Sequence, residues 1–269
     1  MSRDLSLHQA LPEPFDLAGP SFSRLLERHL PDALPEALAR HDGQGVPHVD
    51  GTTVLAVAYD DGVIVAGDRR ATAGNVISKR DMRKVFEADS TSAIAISGAA
   101  GPAMELAKVF ATELEHYEKV ENGPLSLEGK ANKLGQMVRA NLPMALQGLV
   151  VVPLFAGYDT LADTGRIYEF DVAGGRYEEQ RFAAQGSGGR DARGSLKARY
   201  RPDLACDAVV DMCLEALWDA ADEDAATGGP DVVRGIYPLV SLIDAEGYRE
   251  LPDDELRERM DRVVSARQQ

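Results

Sequence analysis

A threonine hydroxyl attacks a carbonyl only with a base beside it, and a threonine at a chain's amino terminus carries that base on its own backbone nitrogen. Gly51-Thr52-Thr53 would supply such a residue if the bond between Gly51 and Thr52 were cut. Glycine at 51, lacking a Cβ, permits the tight, strained backbone that lets the Thr52 hydroxyl reach the preceding carbonyl. Alone, the tripeptide is better explained as a loop glycine before a β-prone Thr-Thr pair. Its company changes that: Gly67-Asp68-Arg69-Arg70, Arg83-Lys84-Val85, Ser97-Gly98, Gly186-Ser187-Gly188 and Asp224-Ala-Ala-Thr227-Gly-Gly229 follow in order. Other chemistries fit these residues less well. Gly186-Ser187-Gly188-Gly189 lacks the lysine of a phosphate loop. The acidic run Asp219, Asp222, Glu223 and Asp224 lacks calcium-loop spacing and its closing glutamate.

These residues stand at the edges of regular elements. Alternating, β-branched sequence runs from Thr53 to Tyr59 and from Val63 to Ala66, joined by Asp60-Asp61-Gly62, a hairpin signal. Further strands are predicted at 92–97, 150–158, 166–171 and 237–243. Helices are predicted from Pro102 to about Lys119, from a Ser126 cap to Leu149 with an irregularity at Pro143, at 190–200, at 204–221, and from about Pro252. The order is strands, two helices, strands, two helices, strand. It predicts an α+β chain folded as a four-layer αββα sandwich: two antiparallel sheets face to face, each covered by a helix pair.

The chain has 269 residues and a formal charge of −15, with no basic stripe. That balance argues against nucleic-acid binding, which needs clustered Lys and Arg. No run of eighteen apolar residues predicts a membrane span, and the early acids Asp4, Glu13, Asp16 and Glu27 argue against a secretory signal. The cytoplasm is therefore expected. Cys206 and Cys213 share a helical face too far apart to bridge, as two small core residues would. Residues 1–51 hold six of the 14 prolines and four of the five histidines, and read as a leader with two short helical turns near 22–30 and 34–40. The histidines at 8, 29, 41 and 48 fit no compact metal-ligand spacing.

Taken together, the Thr-Thr start, Gly-Asp-Arg-Arg, Arg-Lys-Val, Ser-Gly, Gly-Ser-Gly and Asp-x-x-Thr-Gly-Gly motifs resemble those of β-type subunits of the 20S proteasome. The likeness is to the actinobacterial kind, within the amino-terminal-nucleophile hydrolases, and runs from Thr52 to the late 240s. The resemblance implies a propeptide, 1–51, removed by self-cleavage between Gly51 and Thr52, and a mature catalytic domain, 52–269. Thr52 matches the nucleophile, Asp68 the buried acid, Lys84 the central lysine and Gly98 the oxyanion donor. Ser187, Asp224 and Thr227 match residues near the new amino terminus; many relatives carry serine at the last, and the hydroxyl is kept. A free α-amino group has a pKa of about 7.7–8.0 and a neighbouring ammonium lowers it, so Lys84, held by Asp68, would raise the fraction able to act as base. A backbone N–H aimed at an oxyanion is worth roughly 2.7–4 kcal/mol.

The same resemblance assigns Ala71, Thr72, Met82, Ile96, Ala100 and Met104 to the pocket for the residue before the cut bond, implying an apolar preference. It implies no cofactor and no metal. It implies a seven-membered ring of copies of this chain, stacked with rings of α-type subunits and fed unfolded polypeptide by a ring-shaped ATPase. Alternatives are a non-catalytic ring scaffold, a two-ring bacterial threonine protease without α rings, and a small-molecule amidase. Against the two-ring protease stands Asp68-Arg69-Arg70, since that group has no Arg-Arg after its Gly-Asp.

Overall fold

Residue alternation along the central strands dictates the layers. In β1 (Thr53–Tyr59), Val54 and Ala56 face one way and Leu55 and Val57 the other; in β2 (Gly62–Gly67), Val63 and Val65 oppose Ile64 and Ala66. A period of two puts successive side chains on opposite faces. Val54, Ala56, Val63 and Val65 meet Ala93 and Ala95 of β6 (Ser92–Gly98) and Leu154 and Ala156 of β7 (Val151–Asp159), filling the layer between two sheets. The opposite faces carry the larger Leu55, Val57, Ile64, Ile94, Ile96 and Phe155, which pack against helices. Both faces of each sheet are thereby buried, so the strands read as near-continuous apolar runs.

The computed structural model describes residues 51–267, all within one compact unit. The expected helical turns at 22–30 and 34–40, and the histidines at 8, 29, 41 and 48, lie outside the described residues. One five-stranded sheet runs β10-β1-β2-β11-β12, where β10 is Phe182–Gly186, β11 Leu239–Asp244 and β12 Gly247–Glu250. The other runs β5-β6-β7-β8-β9, where β5 is Val85–Asp89, β8 Thr164–Phe170 and β9 Arg176–Glu179. Every pairing is antiparallel. A small hairpin, β3 (Ala71–Ala73) with β4 (Val76–Lys79), stands apart.

Helices α1 (Ala100–Glu121) and α2 (Leu127–Ala140) cover the second sheet through Phe110, Leu114, Leu134 and Val138. The one-turn α3 (Leu142–Ala145) follows. Helices α4 (Gly189–Arg199), α5 (Cys206–Glu223) and α6 (Asp253–Arg267) cover the first sheet through Leu196, Val209, Cys213, Leu217, Leu256 and Met260. This is the αββα sandwich that the order of elements predicts. Among the described residues no helix is long and apolar enough to cross a membrane.

Two expectations change. The helix expected to reach Leu149 ends at Ala140, because Pro143 lacks an N–H and its ring would meet the carbonyl one turn back. Leu146, expected on that helix's apolar face, is exposed. The strands absent from the sequence reading are the β3–β4 hairpin and β5, β9, β10 and β12, the four edges of the two sheets. An edge strand pairs on one side only, and sequences such as Arg176–Glu179 show little apolar alternation.

Candidate active site

Antiparallel pairing gathers the starts and ends of strands at one end of the sandwich. Thr52 precedes β1, whose first residues pair with the last of β2 (Val54 with Gly67) and of β10 (Thr53 with Gly186). Asp68 therefore follows β2 beside Thr53, and Ser187 follows β10 beside Thr52. Lys84 immediately precedes β5, and its carbonyl accepts from the Ile96 N–H of β6 at 2.8 Å. Asp224 caps α5 at its carboxyl end.

Asp68 and Lys84 are fully buried and 2.6 Å apart. Each oxygen of the Asp68 carboxylate accepts two N–H donors. Oδ1 takes Lys84 Nζ at 2.6 Å and the Thr53 amide at 2.7 Å; Oδ2 takes the Arg70 and Gly228 amides, each at 2.8 Å. All four contacts use the carboxylate as acceptor. Burial pushes the Lys84 ammonium below the ordinary lysine range, and the adjoining Asp68 carboxylate opposes that shift.

The Thr52 hydroxyl donates to the Gly51 carbonyl oxygen at 2.7 Å, and Lys84 Nζ donates to the same oxygen at 2.8 Å. The Thr52 amide points at Ser187 Oγ at 3.4 Å, and Ser187 Oγ donates to Asp224 Oδ2 at 2.5 Å. Thr227 Oγ1 donates to the same Asp224 oxygen at 2.6 Å and lies 2.6 Å from Thr53 Oγ1, which also accepts the Gly188 amide at 3.1 Å. Burial alone would raise the Asp224 pKa. The hydrogen bonds from Ser187, Thr227 and the Ala226 amide, with the charge of Lys84, outweigh it and hold the carboxyl below its usual value.

Gly51 owes its type to space and not to a left-handed backbone, which it does not adopt. A Cβ there would lie 2.6 Å from Thr72 Oγ1 and 2.7 Å from the Ala226 carbonyl oxygen. Gly98 is fixed by both conditions: its φ is +96°, and a Cβ would meet the Val150 carbonyl oxygen at 2.2 Å.

The seven residues expected to carry chemistry thus stand at one end of the sandwich. Six are joined by hydrogen bonds, and Gly98 lines the same open cleft of about 390 Å³ as Gly51, Thr52 and Ser187. The expected pocket residues are placed differently. Ala71, Met82 and Ile96 are buried together in the core beneath α1, with Ala100 packed against them. Thr72 is buried beside Gly51, and Met104 is 40% exposed on α1. None of the six lines the cleft at Thr52; Ser97, Val152, Gln185 and Gly186 do. Sequence reasoning missed these, together with Thr53 and Gly228, because cross-strand register and loop closure bring them in. The legible signal for Ser97, Gln185, Gly186, Thr53 and Gly228 was their place in or beside the Ser-Gly, Gly-Ser-Gly, Thr-Thr and Thr-Gly-Gly motifs; Val152 had none. Among the described residues no cluster of His, Cys, Asp and Glu could hold a metal ion.

The sequence has counterparts among known proteins. Residues 49–234 match the family model described as "Proteasome subunit". The chain is 55% identical over 263 residues to the "Proteasome subunit beta" of Acidothermus cellulolyticus, covering 96% of this chain and 91% of that one. It is 54% identical to the protein of the same name from Acidimicrobium ferrooxidans, over 93% and 91% of the two chains. It is 49% identical to "Proteasome subunit beta 2" of Thermomonospora curvata, over 97% and 94%. A sandwich with this motif order, matched nearly end to end by β subunits, places the chain in the proteasome subunit family, among the β-type subunits.

Proposed function

We propose that this chain is a threonine endopeptidase made as a precursor, 1–51 being its propeptide and 52–269 its mature domain. The observation that carries the reading is the Thr52 hydroxyl, 2.7 Å from the carbonyl oxygen of the bond to be cut, with Lys84 Nζ on that same oxygen. Cutting that bond frees the Thr52 amine beside Ser187, whose hydroxyl is tied to Asp224.

In the mature form the amine takes the Thr52 hydroxyl proton as the oxygen attacks a substrate carbonyl. The Lys84 ammonium, held by Asp68, keeps the amine's pKa low enough for this near neutral pH. The Gly98 amide stabilises the oxyanion, and Ser187, Asp224 and Thr227 orient the amine. Ala71, Thr72, Met82, Ile96, Ala100 and Met104, though none lines the cleft as it stands, are proposed to shape an apolar recess for the residue before the cut bond; Ala71, Met82 and Ile96 pack in one cluster. The working assembly is a seven-membered ring of this chain joined to rings of α-type subunits, fed unfolded polypeptide by a ring-shaped ATPase.

The test is the intact mass and amino-terminal sequence of the chain after co-expression with its α-type partner, beside a Thr52→Ala chain. The expected result is a chain that begins at Thr52 and cleaves peptides, and a variant that keeps its full length. If both stay full-length inside assembled rings, the chain is a scaffold subunit.

A further inference from the structure

We propose that the recess bounded by Arg69, Arg70 and Arg80, beside the Asp68 oxygen that does not meet Lys84, binds a small inorganic oxyanion of the phosphate class. The recess shares no lining residue with the cleft at Thr52, and its occupation does not depend on the peptidase reading.

Strand register brings the three arginines together. Leu239 at the start of β11 pairs with Gly67 at the end of β2, so Arg69 and Arg70 lie beside residues 236–238. The Met82 amide donates to the Arg69 carbonyl oxygen at 2.9 Å, which carries Arg80, two residues earlier, to the same place. Gly228 and Gly229 close the recess. A Cβ at Gly228 would lie 2.7 Å from Arg70 Cβ, so the loop and the arginine approach this closely only because the residue is glycine.

The guanidiniums there outnumber the carboxylates that could satisfy them. Three line the recess against one acid, Asp231. Asp231 is already spent: its Oδ2 accepts Arg234 Nη1 at 2.7 Å and its Oδ1 the Arg234 amide at 3.1 Å. Arg69 meets Asp81, and Asp253 at 3.7 Å, both carboxylates more than half exposed, while its own Nε is buried with no hydrogen-bond partner. Arg70 gives Nη1 to the Ala225 carbonyl oxygen at 3.0 Å, and among the described residues neither it nor the exposed Arg80 forms an ion pair. Like charges gathered in one recess repel, and an anion between them removes that cost. The chain as a whole carries −15, so attraction of an anion has to come from this local surplus.

Size and donor geometry select the ligand. The recess holds about 20 Å³, against about 10–15 Å³ for one water, so it admits one small group and no bulky molecule. Guanidinium forks present paired N–H donors that match the oxygens of an oxyanion, a match that a spherical halide cannot make. Phosphate brings more charge and more acceptor oxygens than a carboxylate for three forks to share. Its effect would be felt at the buried acid. The Arg70 and Gly228 amides both donate to Asp68 Oδ2 at 2.8 Å, so an anion clasped by the arginines ties the end of β2, the end of β4 and the 225–231 loop together around Asp68. Opening of those segments then requires release of the anion.

The experiment is amide hydrogen exchange of the chain assembled with its α-type partner, in inorganic phosphate and in sodium chloride of equal ionic strength. With phosphate at ten times its dissociation constant, exchange should slow about 10-fold across 68–82 and 225–238 and stay unchanged in β6 and β7. Arg80→Gln removes a guanidinium that has no ion pair and leaves Asp68 its four donors, so it should melt as the unmodified assembly does and bind phosphate at least about 10-fold more weakly. Arg80→Lys, which keeps the charge without the fork, should fall between the two. Phosphate also stabilises proteins in general by exclusion from their surface. Slowing that is uniform along the chain, or equal in Arg80→Gln, is that general effect and overturns the inference. Chloride that protects as well as phosphate overturns it too, since no oxyanion geometry is then read. If Arg80→Gln fails to assemble, the unmodified assembly decides: slowing confined to the two segments supports the site, and uniform or absent slowing overturns it. Peptide turnover is read separately, and its absence would overturn the peptidase reading while leaving the anion site standing.

Discussion

Strand β5 has a lysine–aspartate pair at each end, and the two pairs differ in what surrounds them. At its start Lys84 meets Asp68 at 2.6 Å; at its far end Asp89 meets Lys130 of α2, also at 2.6 Å. Asp89 is occupied by its own turn: the Thr91 amide at 3.0 Å, the Ser92 hydroxyl at 2.7 Å and the Thr91 hydroxyl at 3.3 Å. Lys130 sends another bond to Thr91 Oγ1 at 2.8 Å. That pair pins a helix to a hairpin, and every donor and acceptor in it belongs to the scaffold. At the other end both ions are sealed from water, yet one donor of Lys84 rests on Gly51, a backbone carbonyl beside an open cleft. The two pairs share a length and differ in where the lysine's spare donor points: to a hydroxyl of the scaffold at one end, to a backbone carbonyl at the cleft at the other.

Lys84→Met and Lys130→Met break this contrast most sharply. Lys84→Met leaves Asp68 buried without a countercharge, and should cost about 3–5 kcal/mol of stability with peptidase activity lost. Lys130→Met leaves Asp89 its hydroxyl and amide partners and a partly exposed side chain, and should cost about 1–2 kcal/mol. Its kcat should stay within about 2-fold, since nothing at the cleft moves. Denaturant melts of the two rings, read beside peptide turnover, check both. Equal loss of activity would erase the distinction.

Gly51→Ala sharpens it at the carbonyl. Its methyl group would press on Thr72 Oγ1 and the Ala226 carbonyl oxygen, moving the bond away from both Lys84 and Thr52. Processing should slow about 100-fold, the usual cost of a misplacement near 1 Å. Under the proposed self-cleavage, rings that do mature lose residue 51 with the leader, so their peptide turnover should match that of the unmodified chain. A time course of intact mass paired with turnover per mature subunit tests both parts.

The smallest effect is expected at Asp224, where the site meets solvent. Its folded pKa lies below the ordinary aspartate value, so its stabilisation is complete near neutral pH and is lost as pH falls through that depressed value. Asp224→Asn should therefore flatten the acid side of a stability profile measured by thermal melts and leave the alkaline side unchanged. Unchanged acid sensitivity would mean that the Ser187 and Thr227 bonds contribute nothing to the ionised state.

The central strands β1, β2, β11, β6 and β7 were legible in the sequence because each is buried on both faces and its apolar run is long; β8, only partly buried, was legible from Ile167, Tyr168 and Phe170. The sheet edges were not, since β5, β9, β10 and β12 take their geometry from a neighbour. The same divide runs through the site. Thr52, Asp68, Lys84, Gly98, Ser187, Asp224 and Thr227 were legible as motif residues, because motif order belongs to the chain. Thr53, Gly228 and the cleft-lining Ser97, Val152 and Gln185 were not, because they arrive through cross-strand register and through the approach of the 224–229 loop to the end of β2. The expected pocket residues show the limit from the other side: apolar type is shared by recess and core, and only packing put Ala71, Met82 and Ile96 beneath α1. Residue types and their order determined the layers and the reactive groups. The facing of Lys84 Nζ on the Gly51 carbonyl was decided by tertiary structure alone, because hydrogen-bond direction depends on where two strand ends, 33 residues apart in the chain, are held in space.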